Sequence, residues 1–295
     1  MNRITYFPVD TQHQFATNQE NIKGKPYEHY FNGDLWLHDE VMPAIRAAMD
    51  PSDAIMPDSE GLNSLLDPGY SACENGFCQL EDGTGYVASL VSFPGCTGAM
   101  YAWWFWWHQV EWARYTLWYP YNHVSATAVD PRVLIEPGLT DEQRYIGHTN
   151  NVDEYIGPDL YKIAIEFVPP ADLGFDTSRF DDAGIVGTAC ALVSLRHPRL
   201  AGVTMVHLAR QTDNGIEQRS RYWIGQDVAI EAFGRHHQSH TDPRSGPMDK
   251  ILTETGAKAF LWGEAAAYEQ LLHDQIEMTH LSTFLADIYG EFGNG

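Results

Sequence analysis

The chain has 295 residues, with 18 Lys and Arg against 40 Asp and Glu, a formal net charge of −22 with His neutral. That length can bury one large core, or a core with a smaller lobe. The negative field repels nucleic acid and anionic membranes, and it disfavours strongly anionic substrates unless a local metal reverses the sign.

The opening MNRITYFPVD lacks the apolar run of a secretory signal. The apolar run Tyr101 to Trp107 is too short to span a bilayer. Cys73, Cys78, Cys96 and Cys190 form no CxxC pair or catalytic signature. A soluble cytoplasmic protein with free thiols is expected. Residues 1–82 read as a small, mainly helical lobe. Its clearest pattern is a helix over Leu35 to Met49, with Leu37, Met42, Ile45 and Met49 on one face, among turn-rich segments such as Asp67-Pro68-Gly69. A soft boundary at Glu81 to Gly85 opens a second domain, 83–295, and Tyr86 to Phe93 reads as its first buried strand.

The stretch Trp103 to His123 holds six Trp, one Phe and three Tyr together with two His, a Glu and an Arg. Trp104, His108, Glu111, Tyr115 and Trp118 share one face at helical spacing, and the neighbouring face is apolar too. The expectation is a helix buried on most sides, ended by Pro120, that delivers His123 to an aromatic-lined interior. The same pattern also suits a core helix followed by a loop histidine. Val152 to Ile156 reads as a short strand whose alternation turns Glu154 inward; an exposed acid on a bent edge strand is the alternative. Leu160 to Val168 alternates with Tyr161, Ile163, Ile165 and Phe167 on one face, and Gly184 to Leu195 is a further strand.

Ala201 to Gln211 and Ile216 to Gly225 flank Thr212-Asp213-Asn214-Gly215, a strong hairpin signal. With Asn214-Gly215 as the two loop residues, His207 stands directly opposite Tyr222, Cβ atoms about 5 Å apart. Gly225 to Pro247 reads as a solvated loop, and His236 and His240 within it as bystanders rather than metal ligands. The last element is a helix from Ala257 to Phe292 with a core-facing stripe that includes Phe260, Leu261, Leu271 and Leu285. His273 and Glu277 lie one turn apart between Leu272 and Ile276, half of a metal site or else an ordinary surface pair. His123 and Glu154 offer two further ligands.

Trp103-Trp104-Phe105-Trp106-Trp107-His108, Arg114-Tyr115, Leu117-Trp118 with His123, Glu154-Tyr155-Ile156-Gly157, and His273 with Glu277 together resemble the zinc-dependent acylphloroglucinol hydrolases, over about Tyr101 to Phe292. The resemblance implies an α+β, helix-grip (START-like) antiparallel sheet wrapped on the long C-terminal helix. It implies one zinc ion on His123, Glu154, His273 and Glu277, with His207, Tyr115 and Tyr222 around the ring hydroxyls of a substrate and Trp104 in the aromatic wall. Where the family pattern has an asparagine contacting a ring hydroxyl, this chain has Ala126, which leaves room for more than an acetyl group.

The implied reaction is hydrolysis of the bond between a polyhydroxylated ring and an acyl carbon, releasing a phenol and a carboxylic acid. Protonating the ring carbon makes the ketone part of a β-dicarbonyl, so that carbon becomes a leaving group. The site must therefore bind phenolic oxygens, deliver a proton and hold a Lewis acid. A His207 with an ordinary pKa near 6.5 suits the proton transfer, with His148 in reserve. Two rivals remain: a non-catalytic helix-grip carrier of flat polyphenols or lipids, and a metal-dependent ester or amide hydrolase. The partner is a small aromatic ketone, and a homodimer is compatible with the sequence.

Overall fold

The computed structural model describes residues 1–197, 199–230 and 247–293. Short elements make up its amino-terminal part. Strand β1 (Asn2–Arg3) pairs with β2 (Trp36–Leu37), and helix α1 (Val9–Ile22) lies between them in the chain. The helix expected over Leu35 to Met49 does not form. Those residues make β2, one 3-10 turn at Asp39–Val41 and further turns. Pro43, which lacks an N–H and crowds the preceding turn, interrupts the pattern. Helix α1 escaped the sequence reading because it is mostly polar, burying only Thr11, Asn18 and Ile22. Helix α2 (Ser59–Ser64) is capped by Asp58, whose carboxylate accepts from the Gly61 N–H.

The remaining strands are β3 (Gly76–Gln79), β4 (Gly85–Pro94), β5 (His123–Ala128), β6 (Thr149–Ile156), β7 (Asp159–Phe167), β8 (Ile185–Thr188), β9 (Ala191–Arg196), β10 (Arg199–Thr212) and β11 (Gly215–Ile230). They form one antiparallel sheet in the order β3-β4-β11-β10-β9-β7-β6-β5, with β8 paired to β10. Strand β3, which precedes the expected boundary at residue 82, is the edge strand beside β4. The strand expected over Gly184 to Leu195 is interrupted at Ala189-Cys190, giving β8 and β9. Strand β11 runs on past Gly225 to Ile230, five residues into the expected loop; His236 and His240 lie outside the described residues.

The β10–β11 hairpin forms with a register different from the expected one. Asp213 and Asn214 are the loop residues and Thr212 faces Gly215, so His207 pairs with Ser220 and Tyr222 with Met205. Gly215 serves another purpose. A Cβ there would lie 2.4 Å from the Phe93 carbonyl oxygen, and its φ is +131°, so glycine permits β4 to approach. The shift is two residues, which preserves the face. His207 and Tyr222 are therefore diagonal neighbours, and Tyr222 Oη lies 3.3 Å from His207 Nε2.

Helix α3 (Gly98–Trp107) carries four of the six tryptophans but stops well before Pro120, where the helix was expected to end, and a 3-10 segment, Trp112–Leu117, follows. Side chains take over its last carbonyls. His108 Nδ1 lies 2.7 Å from the Trp104 oxygen, Gln109 donates to the Phe105 oxygen, and Arg114 Nη1 donates to the Trp107 oxygen at 3.0 Å. Short helices α4 (Pro170–Leu173), α5 (Pro247–Glu254) and α6 (Ala257–Trp262) precede α7 (Glu264–Phe292). The helix expected from Ala257 is thus broken at Gly263, where a Cβ would meet Gln79 Oε1 at 2.1 Å. Phe260 and Leu261 face outward instead of joining the core. Every residue of α7 from His273 to Leu281 is buried, because β3, β4, β6 and α3 all pack on it.

Candidate metal centre and substrate cavity

The antiparallel pairing of β5 with β6 sets His123 opposite Glu154, and a β-bulge between His123 and Ser125 follows at once. The extra residue lets His123 and Ala126, three apart, both be buried. His273 and Glu277 meet this pair from α7. His123 Nε2 lies 3.2 Å from Glu277 Oε2 and 3.8 Å from Glu154 Oε2. His273 Nε2 lies 3.8 Å from Glu277 Oε2 and 4.0 Å from Glu154 Oε2. Ligand atoms of His123, Glu154 and His273 all fall within 4.8 Å of one another, and all four residues are buried.

The orientation of His123 is determined by its neighbours. Its Nδ1 lies 3.1 Å from the Tyr115 carbonyl oxygen and donates there, which leaves the Nε2 lone pair facing the carboxylates. The Tyr115 ring stacks on the imidazole, centroids 3.8 Å apart and planes 4° apart, and the Tyr115 hydroxyl donates to Glu154 Oε2. Asn18, buried on α1, donates to the carbonyls of Pro120 and His123 at 2.9 and 2.8 Å, tying down the turn that enters β5.

In the absence of a cation this cluster is electrostatically costly. Burial pushes Glu154 up to about 7 against the Tyr115 hydrogen bond, and burial with the charges of Asp274 and Glu154 raises Glu277 well above the carboxylate range. Burial lowers His273 to about 4 and His123 well below its ordinary value. His123 Nε2 is buried with no hydrogen-bond partner. His123, Glu154 and His273 are spaced as a group that could hold a metal ion, and Glu277 Oε2 lies beside them, 3.2 Å from His123 Nε2; such N and O donors suit a divalent ion. N and O ligands about 2.0–2.2 Å from an ion at tetrahedral angles stand about 3.3–3.6 Å apart, close to the separations found.

The cluster borders a cavity of about 430 Å³ between the sheet and α7. Tyr115, His207 and Tyr222 line it with Glu154, His273 and Glu277, so six of the expected site residues come together. Trp104 does not line it. It packs behind the wall against Trp118 and Phe284, while Phe105 and His108 line the space. Ala126 is buried opposite Val152 and does not line it either. His148, half-buried just before β6, is also absent from the wall.

Asp274, Ser220 and Gln218 were not anticipated. The Tyr222 hydroxyl donates to Asp274 Oδ1 at 2.7 Å, and Ser89 donates to the other carboxylate oxygen. With the phenol's hydrogen committed to Asp274, the contact of Tyr222 Oη with His207 Nε2 requires the imidazole to donate. His207 Nδ1 is then an acceptor, consistent with Ser220 Oγ at 2.8 Å and Gln218 Nε2 at 3.2 Å. Burial lowers His207 to about 4, with Asp274 pulling the other way, so it is neutral at neutral pH rather than poised near 6.5. Asp274 could have been noticed in the sequence as an acid beside His273, on the same helix as His273 and Glu277. Ser220 and Gln218 emerge only from the hairpin register.

Residues 55–290 match the family model described as the DAPG hydrolase PhiG domain. The chain belongs to this DAPG hydrolase family. It is 37% identical to a 2,4-diacetylphloroglucinol hydrolase of Pseudomonas protegens, over 99% of this chain and 93% of that one. A protein of the same name from Pseudomonas sp. is also 37% identical, covering 99% and 97%. A phloretin hydrolase of Eubacterium ramulus is 30% identical over 72% of this chain and 77% of its own. Among solved structures, Ara h 8.0201 superposes with a TM-score of 0.29 at 10% identity, covering 64% of this chain and 99% of that one, too loose a match to bear on the fold. No described helix of this DAPG hydrolase family member is long and apolar enough to cross a membrane.

Proposed function

We propose that this protein hydrolyses the carbon–carbon bond between a polyhydroxylated aromatic ring and an acyl group, as the names of its relatives describe for diacetylphloroglucinol and phloretin. The observation that carries the reading is the meeting, in one buried cavity, of a two-His two-Glu cluster with a hydrogen-bonded His207–Tyr222–Asp274 set. We take the ion to be zinc, held by His123, Glu154, His273 and Glu277; the mixed N and O donors support it. The antiparallel sheet packed on α7 supports a helix-grip, START-like description of the domain.

When bound, the ion supplies Lewis acidity, polarising a ketone or acidifying a water. The protein's own residues have the remaining tasks. Tyr222, held by Asp274, offers its oxygen to a ring hydroxyl, and His207 presents its Nε2 hydrogen beside it. An imidazolium at His207 is strongly disfavoured by burial. The proton relay avoids it: as the Nε2 hydrogen passes to the ring carbon, the phenolic proton returns to Nε2 through the Tyr222 oxygen, and His207 stays neutral. Protonation at carbon turns the ring into the β-dicarbonyl leaving group, and water completes the release of acid and phenol. Tyr115 orients Glu154 and shields His123 rather than reaching for substrate.

The test is turnover of 2,4-diacetylphloroglucinol and of a matched aryl ester by metal-analysed protein, with products followed by chromatography. Loss of the ketone with release of acetate is expected. Binding without turnover, or hydrolysis confined to the ester, would overturn the reading and return the carrier or ester-hydrolase alternative.

A further inference from the structure

Asn150 lies on the same inward row of β6 as Val152 and Glu154. It is 3% exposed, it lines the cavity, and its Oδ1 is buried with no hydrogen-bond partner among the described residues. Trp118, lining the same space, likewise has a buried indole N–H with no partner. A buried amide oxygen left without a partner is destabilising, and Phe105 and Phe167 line the same cavity with apolar surface.

Strand order says which part of a substrate would meet it. If the ketone carbon sits at the His123–Glu277 cluster and the ring hydroxyls at His207 and Tyr222 on β10 and β11, the acyl substituent diverges from the ring at the trigonal carbonyl. Glu154 already stands on β6, three strands from β10, so a substituent leaving the ketone carbon away from the ring can run along the inner row of β6 that carries Val152 and Asn150. Glu154 and Asn150 are four residue steps apart on the strand, roughly 13 Å. An acetyl methyl ends about 1.5 Å from the ketone carbon and leaves this stretch empty. A three-carbon acyl chain ending in a para-hydroxyphenyl group places its oxygen on the order of 8 Å away by ordinary bond lengths, and a hydrogen bond adds about 3 Å.

We propose that Asn150 is a specificity-determining residue that accepts or donates a hydrogen bond to a phenolic hydroxyl at the far end of the acyl chain, so that the protein favours hydroxyaryl-terminated acyl ketones. The proposal rests on the functional reading above for the placement of the ketone. A phenolic hydroxyl can donate to the Asn150 Oδ1, and the Trp118 indole N–H lines the same cavity.

The experiment compares phloretin with its analogue lacking only the terminal hydroxyl, in wild-type and Asn150→Leu protein. It reads both kcat/KM and the affinity measured by tryptophan quenching. Wild type should favour the hydroxylated ligand at least tenfold, and the ratio should fall toward one in Asn150→Leu, the loss falling on the hydroxylated ligand. Equal treatment of the two ligands by wild type overturns the proposal without any variant, as does a preference that survives in folded Asn150→Leu. If neither ligand is hydrolysed but the Asn150-dependent difference in affinity persists, the subsite stands and the hydrolytic reading falls. Turnover of diacetylphloroglucinol, measured alongside, tests that reading by itself.

Discussion

His207 shows how little a residue's type says about its chemistry. An ordinary histidine exchanges protons near neutrality, but this one is enclosed by Tyr222, Ser220 and Gln218 and held neutral down to about 4. His207→Ala should lower kcat by roughly a hundred- to ten-thousand-fold, the usual value of general acid–base help. Tyr222→Phe, which removes one hydrogen bond to substrate and leaves Asp274 short of a donor, should cost less, about 1–3 kcal/mol. Both should keep full metal by elemental analysis. Tyr115 is expected to behave in the opposite way. Its hydroxyl is engaged by Glu154, so Tyr115→Phe should weaken metal affinity about 10–100-fold. A Tyr115→Phe protein with unchanged metal affinity but a raised KM would instead mark it as a substrate contact. The residues legible beforehand were those whose type is expensive to bury: Glu154 stood out by strand alternation between Val152 and Ile156, His273 and Glu277 by their one-turn spacing beside an apolar stripe, and His123 by following the aromatic run.

Two elements bring the cluster together, the β5–β6 pair and α7, and each supplies half of it. His123→Ala and Glu277→Ala should therefore each lose metal and activity, whereas a double mutant of His236 and His240 should retain both. Full occupancy in Glu277→Ala protein would remove it from the ligand set. The hairpin makes a separate prediction about stability. Gly215→Ala would press a Cβ against the Phe93 carbonyl at a positive φ, costing about 1–3 kcal/mol and lowering Tm measurably. Strand identities along β4, β7, β10 and β11 were readable because alternation and the Asn-Gly signal are local. The true register was not readable, since the sequence cannot say whether glycine serves the turn or the neighbouring strand. For the same reason the aromatic run looked like one long helix. Its end is fixed by side chains of His108, Gln109 and Arg114 capping carbonyls, an outcome helical spacing does not encode.

At the scale of the molecule, buried histidines and buried carboxylates pull stability in opposite directions with pH. Burial lowers His108, His207 and His280 to about 4 from 6.5. Between those values the unfolded chain binds more protons, so stability is lost as pH falls through that window. Glu154, raised to about 7 from 4.5, has the reverse sign in metal-free protein, because the native state binds the extra proton and stability is lost as pH rises through 7. A bound divalent ion needs these carboxylates ionised, so binding it releases protons and tightens with pH. Chelation should accordingly lower Tm more at pH 8 than at pH 6, and both forms should weaken below pH 6. A chelation effect independent of pH would count against Glu154 as a ligand.

The sequence by itself determined the kind of molecule: an acidic chain with a large aromatic core, alternating antiparallel strands, a long final helix and four metal-competent side chains. All but the last follow from composition and local periodicity; the set of four side chains also drew on the resemblance to a known family. Tertiary structure decided which residues share a space. It put His123 across from Glu154, gave Tyr222 to Asp274, left Trp104 behind the wall and brought Asn150 to its surface. Each of these depends on strand order, on a bulge or on where a helix stops. Such features arise when segments distant in the chain compete for the same volume, and no window of neighbouring residues records the result.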